Sequence, residues 1–168
     1  MNNNQYEKIN EFKDTNKLFD GLEIKYNEII LYALGTNTQS LVFYNINNNK
    51  KIKSLNNLKL EIECLCKIND NEVAVAGDKK VYLINSNNYL ILDEINSICY
   101  NRCILKLSNN LFLIGDNNGT ITQYKIKNKK LIKESIKNKS HENAIYSMTI
   151  LNGMIISGGF NEIKIWKN

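Results

Sequence analysis

The chain has 168 residues and a net charge of +5, long enough for one domain with a core of its own. Hydrophobic residues make up 43% and charged residues 23%, which excludes a disordered chain, and no apolar run nears the ~18 residues that a membrane-spanning helix needs. The opening Met1-Asn2-Asn3-Asn4-Gln5 lacks the basic-then-apolar order of a secretory leader, and the four cysteines do not frame a disulfide scaffold. A soluble intracellular protein is the expectation, cytoplasmic with the nucleus left open.

Taken in order, the chain reads as short strands and polar turns. Tyr6-Glu7-Lys8-Ile9-Asn10-Glu11-Phe12 alternates and precedes the first regular unit. That unit has an inner strand at Leu22–Tyr26, an apolar run Ile30–Leu34 ending in Gly35, a third strand Leu41–Tyr44 and an outer strand Lys51–Leu55. The second unit repeats the order with Ile62–Ile68, Val73–Ala76 ending in Gly77, Val81–Ile84 and Tyr89–Glu94. The third has Cys103–Leu107, Leu111–Ile114 ending in Gly115, Ile121–Tyr124 and Lys130–Ile136. The fourth has Ala144–Ile150, a run from Met154 to Ser157 ending in Gly158, and Glu162–Trp166, with no outer strand after it. Turns such as Asn69-Asp70-Asn71 and Ser108-Asn109-Asn110 carry the Asn/Asp chemistry that tight turns favour.

The closing glycines Gly35, Gly77, Gly115 and Gly158 recur at steps of 42, 38 and 43 residues. The third strands end at Tyr44, Ile84, Tyr124 and Trp166, at steps of 40, 40 and 42. A period near 40 with three or four strands per unit is a propeller-blade pattern.

The last stretch, His141–Trp166, carries a His before its first strand, Ser157-Gly158-Gly159 closing its second and Trp166 ending its third. It resembles one repeat of the WD-repeat β-propeller family. The resemblance implies an all-β fold, a WD-repeat-like propeller of about four four-stranded blades or part of a larger propeller. The single domain, 1–168, would hold repeats at about 18–56, 60–95, 98–137 and 141–168, with 6–12 as a strand closing the ring against the fourth blade. Four blades are fewer than the seven or so usual for the family. The family's Trp is Tyr44, Ile84 and Tyr124 in the first three units, and its Asp is Asn45, Asn85, Lys125 and Lys167. The resemblance also gives His141, Ser157 and Trp166 structural roles. Its acidic turn partner for the histidine is missing, the nearest turn residue being Asn161.

No residue set points to catalysis, because the lone His141 has no Ser or Cys nucleophile in a recognisable frame. Cys64 and Cys66, and Cys99 and Cys103, lack the Cys-x2-Cys spacing that wraps zinc and read as buried thiols. Asp116-Asn117-Asn118-Gly119 lacks the later Glu of a calcium loop and reads as a hairpin turn. No metal and no cofactor are expected.

A propeller-type chain is expected to act as a non-enzymatic scaffold that binds other proteins, alone or as an incomplete ring completed by another chain. The candidate contacts lie in the turns of one face: Thr36 and Asn37, Asp78 and Lys79, then Asp116, Asn117 and Asn118, and finally Phe160 and Asn161. Phe160 is the sharpest choice, since an aromatic in a tight turn has little core to enter and aromatics anchor interfaces. The alternative is an adaptor for RNA or phosphoinositide. It rests on Lys125, Lys127, Lys129, Lys130, Lys133, Lys137 and Lys139, which cover one outer strand and its flanks.

Overall fold

In the computed structural model of the chain, described for residues 17–25, 28–34, 39–56, 58 and 61–167, each repeat forms its own antiparallel meander. The first sheet runs β1 (Lys17–Lys25), β2 (Glu28–Leu34), β3 (Gln39–Asn45) and β4 (Lys50–Leu55). The second runs β5 (Ile62–Asn69), β6 (Glu72–Gly77), β7 (Lys80–Asn85) and β8 (Ile91–Asn96). The third runs β9 (Asn101–Ser108), β10 (Leu111–Asp116), β11 (Ile121–Lys127) and β12 (Lys130–Lys137). The fourth has three strands among the described residues, β13 (Ile145–Leu151), β14 (Met154–Gly159) and β15 (Ile163–Trp166). The expected closing strand, 6–12, lies outside the described residues.

Sequential strands pair with sequential strands throughout, so every connection within a sheet is short. The widest boundary difference is the first inner strand, expected from Leu22 and observed from Lys17; the third strand of the third sheet runs on past Tyr124 to Lys127, and the second outer strand, expected from Tyr89, begins at Ile91. Tyr89 has a left-handed backbone (φ 58) and closes the turn by donating its N–H to the Asn85 carbonyl at 2.9 Å. Asn85 Oδ1 takes the N–H groups of Asn87 and Asn88 in the same turn.

The strands alternate, and the two alternating sets face opposite neighbours, which places the core between sheets. Between the first and second sheets Leu41 and Phe43 meet Val73, Val75 and Ile84. Tyr82 joins the same layer and donates its hydroxyl to the Leu58 carbonyl at 2.7 Å. Between the second and third, Ala74, Ala76, Val81 and Leu83 meet Phe112, Ile114 and Tyr124, whose two rings stack at 5.5 Å. Between the third and fourth, Leu113 and Ile121 meet Ile145, Ile155 and Trp166. The positions read as the family's Trp are thus core-facing: Tyr44, Ile84 and Tyr124 are buried and Trp166 is half-buried.

Candidate functional site

Backbone hydrogen bonds tie the turns at one end of the sheets to the connection entering the next sheet. Asp78, in the β6–β7 turn, donates its N–H to the Glu61 carbonyl at 2.9 Å and accepts from Asn101 N–H at 3.3 Å. The Lys79 carbonyl accepts from Ser97 N–H at 2.8 Å, and the Tyr100 carbonyl from Asn117 N–H at 2.8 Å. His141 N–H donates to the Gly119 carbonyl at 3.0 Å, and Glu142 N–H to Glu162 Oε1 at 2.8 Å. This chain of contacts places Asp78 and Lys79, Asn117 and Asn118, and Phe160 and Asn161 along one end of the protein. Thr36 and Asn37 lie outside the described residues.

These candidates differ in what they offer. Phe160 is 66% exposed, in the β14–β15 turn, beside a shallow hollow lined by Glu142, Asn143, Asn161 and Glu162. Asp116 is buried and builds its own turn, Oδ1 accepting from Asn118 N–H and Thr120 N–H, both at 2.9 Å. Two apolar side chains at the same end escaped the sequence reading: Ile98, 72% exposed, and Tyr100, in the connection from β8 to β9. They sit in an irregular connection where alternation carries no signal. The neighbouring Asp78 carboxylate pushes the Tyr100 hydroxyl pKa up.

Asn101 was also missed, although it anchors this connection. Its buried side-chain amide donates to the Gly77 carbonyl at 2.7 Å, the Lys80 carbonyl at 3.1 Å and Ser97 Oγ at 2.8 Å. Arg102 next to it pairs with Glu63 of β5 at 3.2 Å, and its Nε donates to Asn117 Oδ1 at 3.2 Å.

The fourth sheet holds a buried polar network. His141 Nε2 lies 2.6 Å from Ser157 Oγ, and Trp166 Nε1 donates to the same oxygen at 2.8 Å. His141 Nδ1 lies 3.0 Å from Glu162 Oε1, a separation that meets the distance of a hydrogen bond but not its angle. A proton on Nδ1 facing the carboxylate leaves Nε2 to accept from the serine hydroxyl, so Ser157 donates once and accepts once. The acidic partner of the histidine is therefore Glu162, not Asn161. Its longer side chain reaches back from the residue after the turn, and it also pairs with Lys164 at 2.9 Å. Fixed in this way and 1% exposed, His141 is not available as a base for an outside substrate.

The lysine-rich outer strand is partly neutralised. Lys130 pairs with Asp93 at 2.8 Å and Lys125 with Glu134 at 3.2 Å, while the Lys137 ammonium lies 3.8 Å over the Trp166 ring. The cysteines are free thiols, Cys64 and Cys103 buried, and no cluster of His, Cys, Asp and Glu among the described residues could hold a metal ion. No helix in the described residues is long and apolar enough to cross a membrane.

No family model matches the chain, and no curated protein does either. Solved structures resemble it in fold. The crystal structure of the computationally designed Ika4 protein aligns with a TM-score of 0.76 at 16% identity, over 97% of this chain and 99% of that one. The WD40 beta propeller domain of Doa1 aligns with a TM-score of 0.71 at 17% identity, over 88% of this chain and 50% of that one. A chain of the Mitotic Checkpoint Complex aligns with a TM-score of 0.72 at 9% identity, over 84% of this chain and 47% of its own. The chain thus has a β-propeller fold and spans about half the length of the latter two.

Proposed function

We propose that this chain is a binding scaffold for other proteins, without a reaction of its own, and that partners engage the end carrying Ile98, Tyr100 and Phe160. The observation that carries the reading is the exposure of these apolar side chains on turns already fixed by backbone hydrogen bonds. Binding to a fixed surface loses little further backbone entropy, and exposed aromatics supply contact area with few rotatable bonds. Similarity of fold to a WD40 domain and to a chain from a multiprotein complex supports protein partners over small molecules. Lysines that already face Asp93, Glu134 and Trp166 weigh against an RNA or phosphoinositide site on the outer strand.

The test is affinity purification with quantitative identification of partners, comparing the chain with Phe160→Ala and with Ile98→Ser. Both residues are exposed, so both variants should fold normally, and each should lose the same specific partners. Partners retained at full yield by both variants would remove this end of the molecule as the binding surface.

A further inference from the structure

The third and fourth sheets match position by position. Gly115 faces Ile121 in one and Gly158 faces Ile163 in the other, so Tyr124 holds the place of Trp166, and Ile114 that of Ser157. Asp116 N–H donates to the Thr120 carbonyl as Gly159 N–H does to the Glu162 carbonyl, which matches Thr120 to Glu162. Ser97 N–H donates to the Lys79 carbonyl as His141 N–H does to the Gly119 carbonyl, each carbonyl lying in the turn of the preceding sheet, which matches Ser97 to His141. The third sheet therefore has the backbone of the His141–Ser157–Trp166 network without its side chains. A hydroxymethyl stands for the imidazole, a phenol for the indole and a threonine for the glutamate.

What the fourth sheet fills, the third leaves open. A hollow of about 160 Å³ lies between the second and third sheets, and three of the matched residues, Ser97, Thr120 and Tyr124, line it together with Asp116, Thr122 and Lys133. A cavity of about 150 Å³ is enough for one benzene ring. Tyr124 is 1% exposed, yet its hydroxyl opens on this hollow with no hydrogen-bond partner among the described residues. Burial and the Asp116 charge push its pKa up to about 12, so at neutral pH it is a protonated donor. A donor this deep is destabilising until an acceptor reaches it.

The remaining polar groups define what fits. Asp116 Oδ1 is taken by the Asn118 and Thr120 N–H groups, which leaves Oδ2 to accept from a ligand. One carboxylate and one ammonium, Asp116 and Lys133, line the hollow, so neither sign of charge is favoured in it. The occupant is therefore small and uncharged, with a donor and an acceptor, as the imidazole of His141 is in the fourth sheet. We propose that the hollow between the second and third sheets binds one neutral imidazole ring, its N–H donating to Asp116 and its other nitrogen accepting from the Tyr124 hydroxyl. A ligand of five heavy atoms held by two hydrogen bonds binds with a Kd in about the millimolar range.

Titration of the nitrogen-15-labelled full chain with imidazole, followed by proton–nitrogen correlation spectra at about pH 8.5 where the free ring is neutral, tests this. The expected result is a set of saturable shifts confined to Ser97, Ile98, Asp116 to Thr122 and Lys133. Pyrrole, the same ring without the accepting nitrogen, should bind about tenfold more weakly, and Tyr124→Phe should weaken imidazole by a similar factor. Ser97→His and Thr122→Phe each fill the hollow, and whichever keeps the parent far-UV circular dichroism spectrum should show no shifts. Histidine capped as N-acetyl N-methylamide separates two sources of the ring. Binding as tight as that of imidazole assigns it to the side chain of a partner protein, and binding of imidazole alone assigns it to a free small molecule. No saturable shift up to about 50 mM, as for a hollow that holds only water, pyrrole binding as tightly as imidazole, or shifts that persist in a folded filled variant would each overturn the proposal.

Discussion

Asp93 in β8 and Lys130 in β12 join the outer strands of the second and third sheets, carboxylate to ammonium at 2.8 Å, while Asp93 Oδ2 accepts Leu131 N–H at 2.8 Å. Partial burial alone would push this carboxyl pKa up. The Lys130 and Leu131 hydrogen bonds outweigh that and hold it below the ordinary range. Glu162 is held low as well, by Lys164 first and then by the Glu142 N–H. At these groups the unfolded chain binds protons more readily than the folded one. Their stabilisation is therefore fully present above the ordinary carboxylate pKa of about 4 and lost as pH falls through the lower folded values. Urea midpoints should fall between pH 6 and pH 3. Asp93→Asn should lower the midpoint at pH 6 and flatten this decline; an unchanged pH dependence would mean that Asp93 is not a source of it.

The His141–Ser157–Trp166 network predicts a second set of losses. Ser157→Ala removes the oxygen that both rings use and leaves two buried ring nitrogens without it, costing about 1–3 kcal/mol. Trp166→Phe removes one donor and keeps most of the apolar ring, so it should cost less. Equilibrium denaturation gives both values. Equal stability of Ser157→Ala and the parent would show that the network adds nothing.

Two glycines with left-handed backbones make a matched pair. Gly119 (φ 73) and Gly153 (φ 76) would each strain an alanine by about 1–2 kcal/mol. A methyl at Gly119 would also press into the His141 carbonyl, whereas at Gly153 it meets open space. Gly119→Ala should therefore lower the Tm more than Gly153→Ala, as differential scanning calorimetry would show. The reverse order would contradict the tie between the β10–β11 turn and His141.

Burial pushes the Cys103 thiol up to about 12, with Asp116 adding to the rise and the Gly115 backbone opposing it. At pH 8 only about one molecule in ten thousand would hold it as the reactive thiolate. Iodoacetamide should leave Cys103 unmodified in the folded protein and alkylate all four cysteines in urea, as peptide mass spectrometry would resolve. Rapid labelling of Cys103 without denaturant would mean that the third and fourth sheets part readily.

The repeat was legible because its markers answer to simple constraints. A closing glycine and a large core-facing residue recur near every 40 positions, and alternation placed every described strand, although the first begins at Lys17 and not at Leu22 as expected. Tyr89 was drawn into a strand because its left-handed turn geometry leaves no mark on the alternation of the residues after it. Glu162 was overlooked because the family's acid lies in the turn, and only three dimensions show a longer side chain reaching the same imidazole from the next residue. Ile163-Lys164-Ile165-Trp166 reads as a half-buried strand whether or not its outer face is covered, so its exposure had to come from the structure. Ile98 and Tyr100 fall where the chain has no period to read.

Because each sheet rests on its neighbours, resistance to local opening should differ along the chain. The second sheet is clasped on both faces, by Phe43 on one side and Phe112 on the other. The fourth is held on one face by the third sheet and presents Ile163 and Ile165 on the other. Amide hydrogens of β14 and β15 should exchange with deuterium well before those of β6 and β7, through partial openings that peel the fourth sheet away and leave the other three folded.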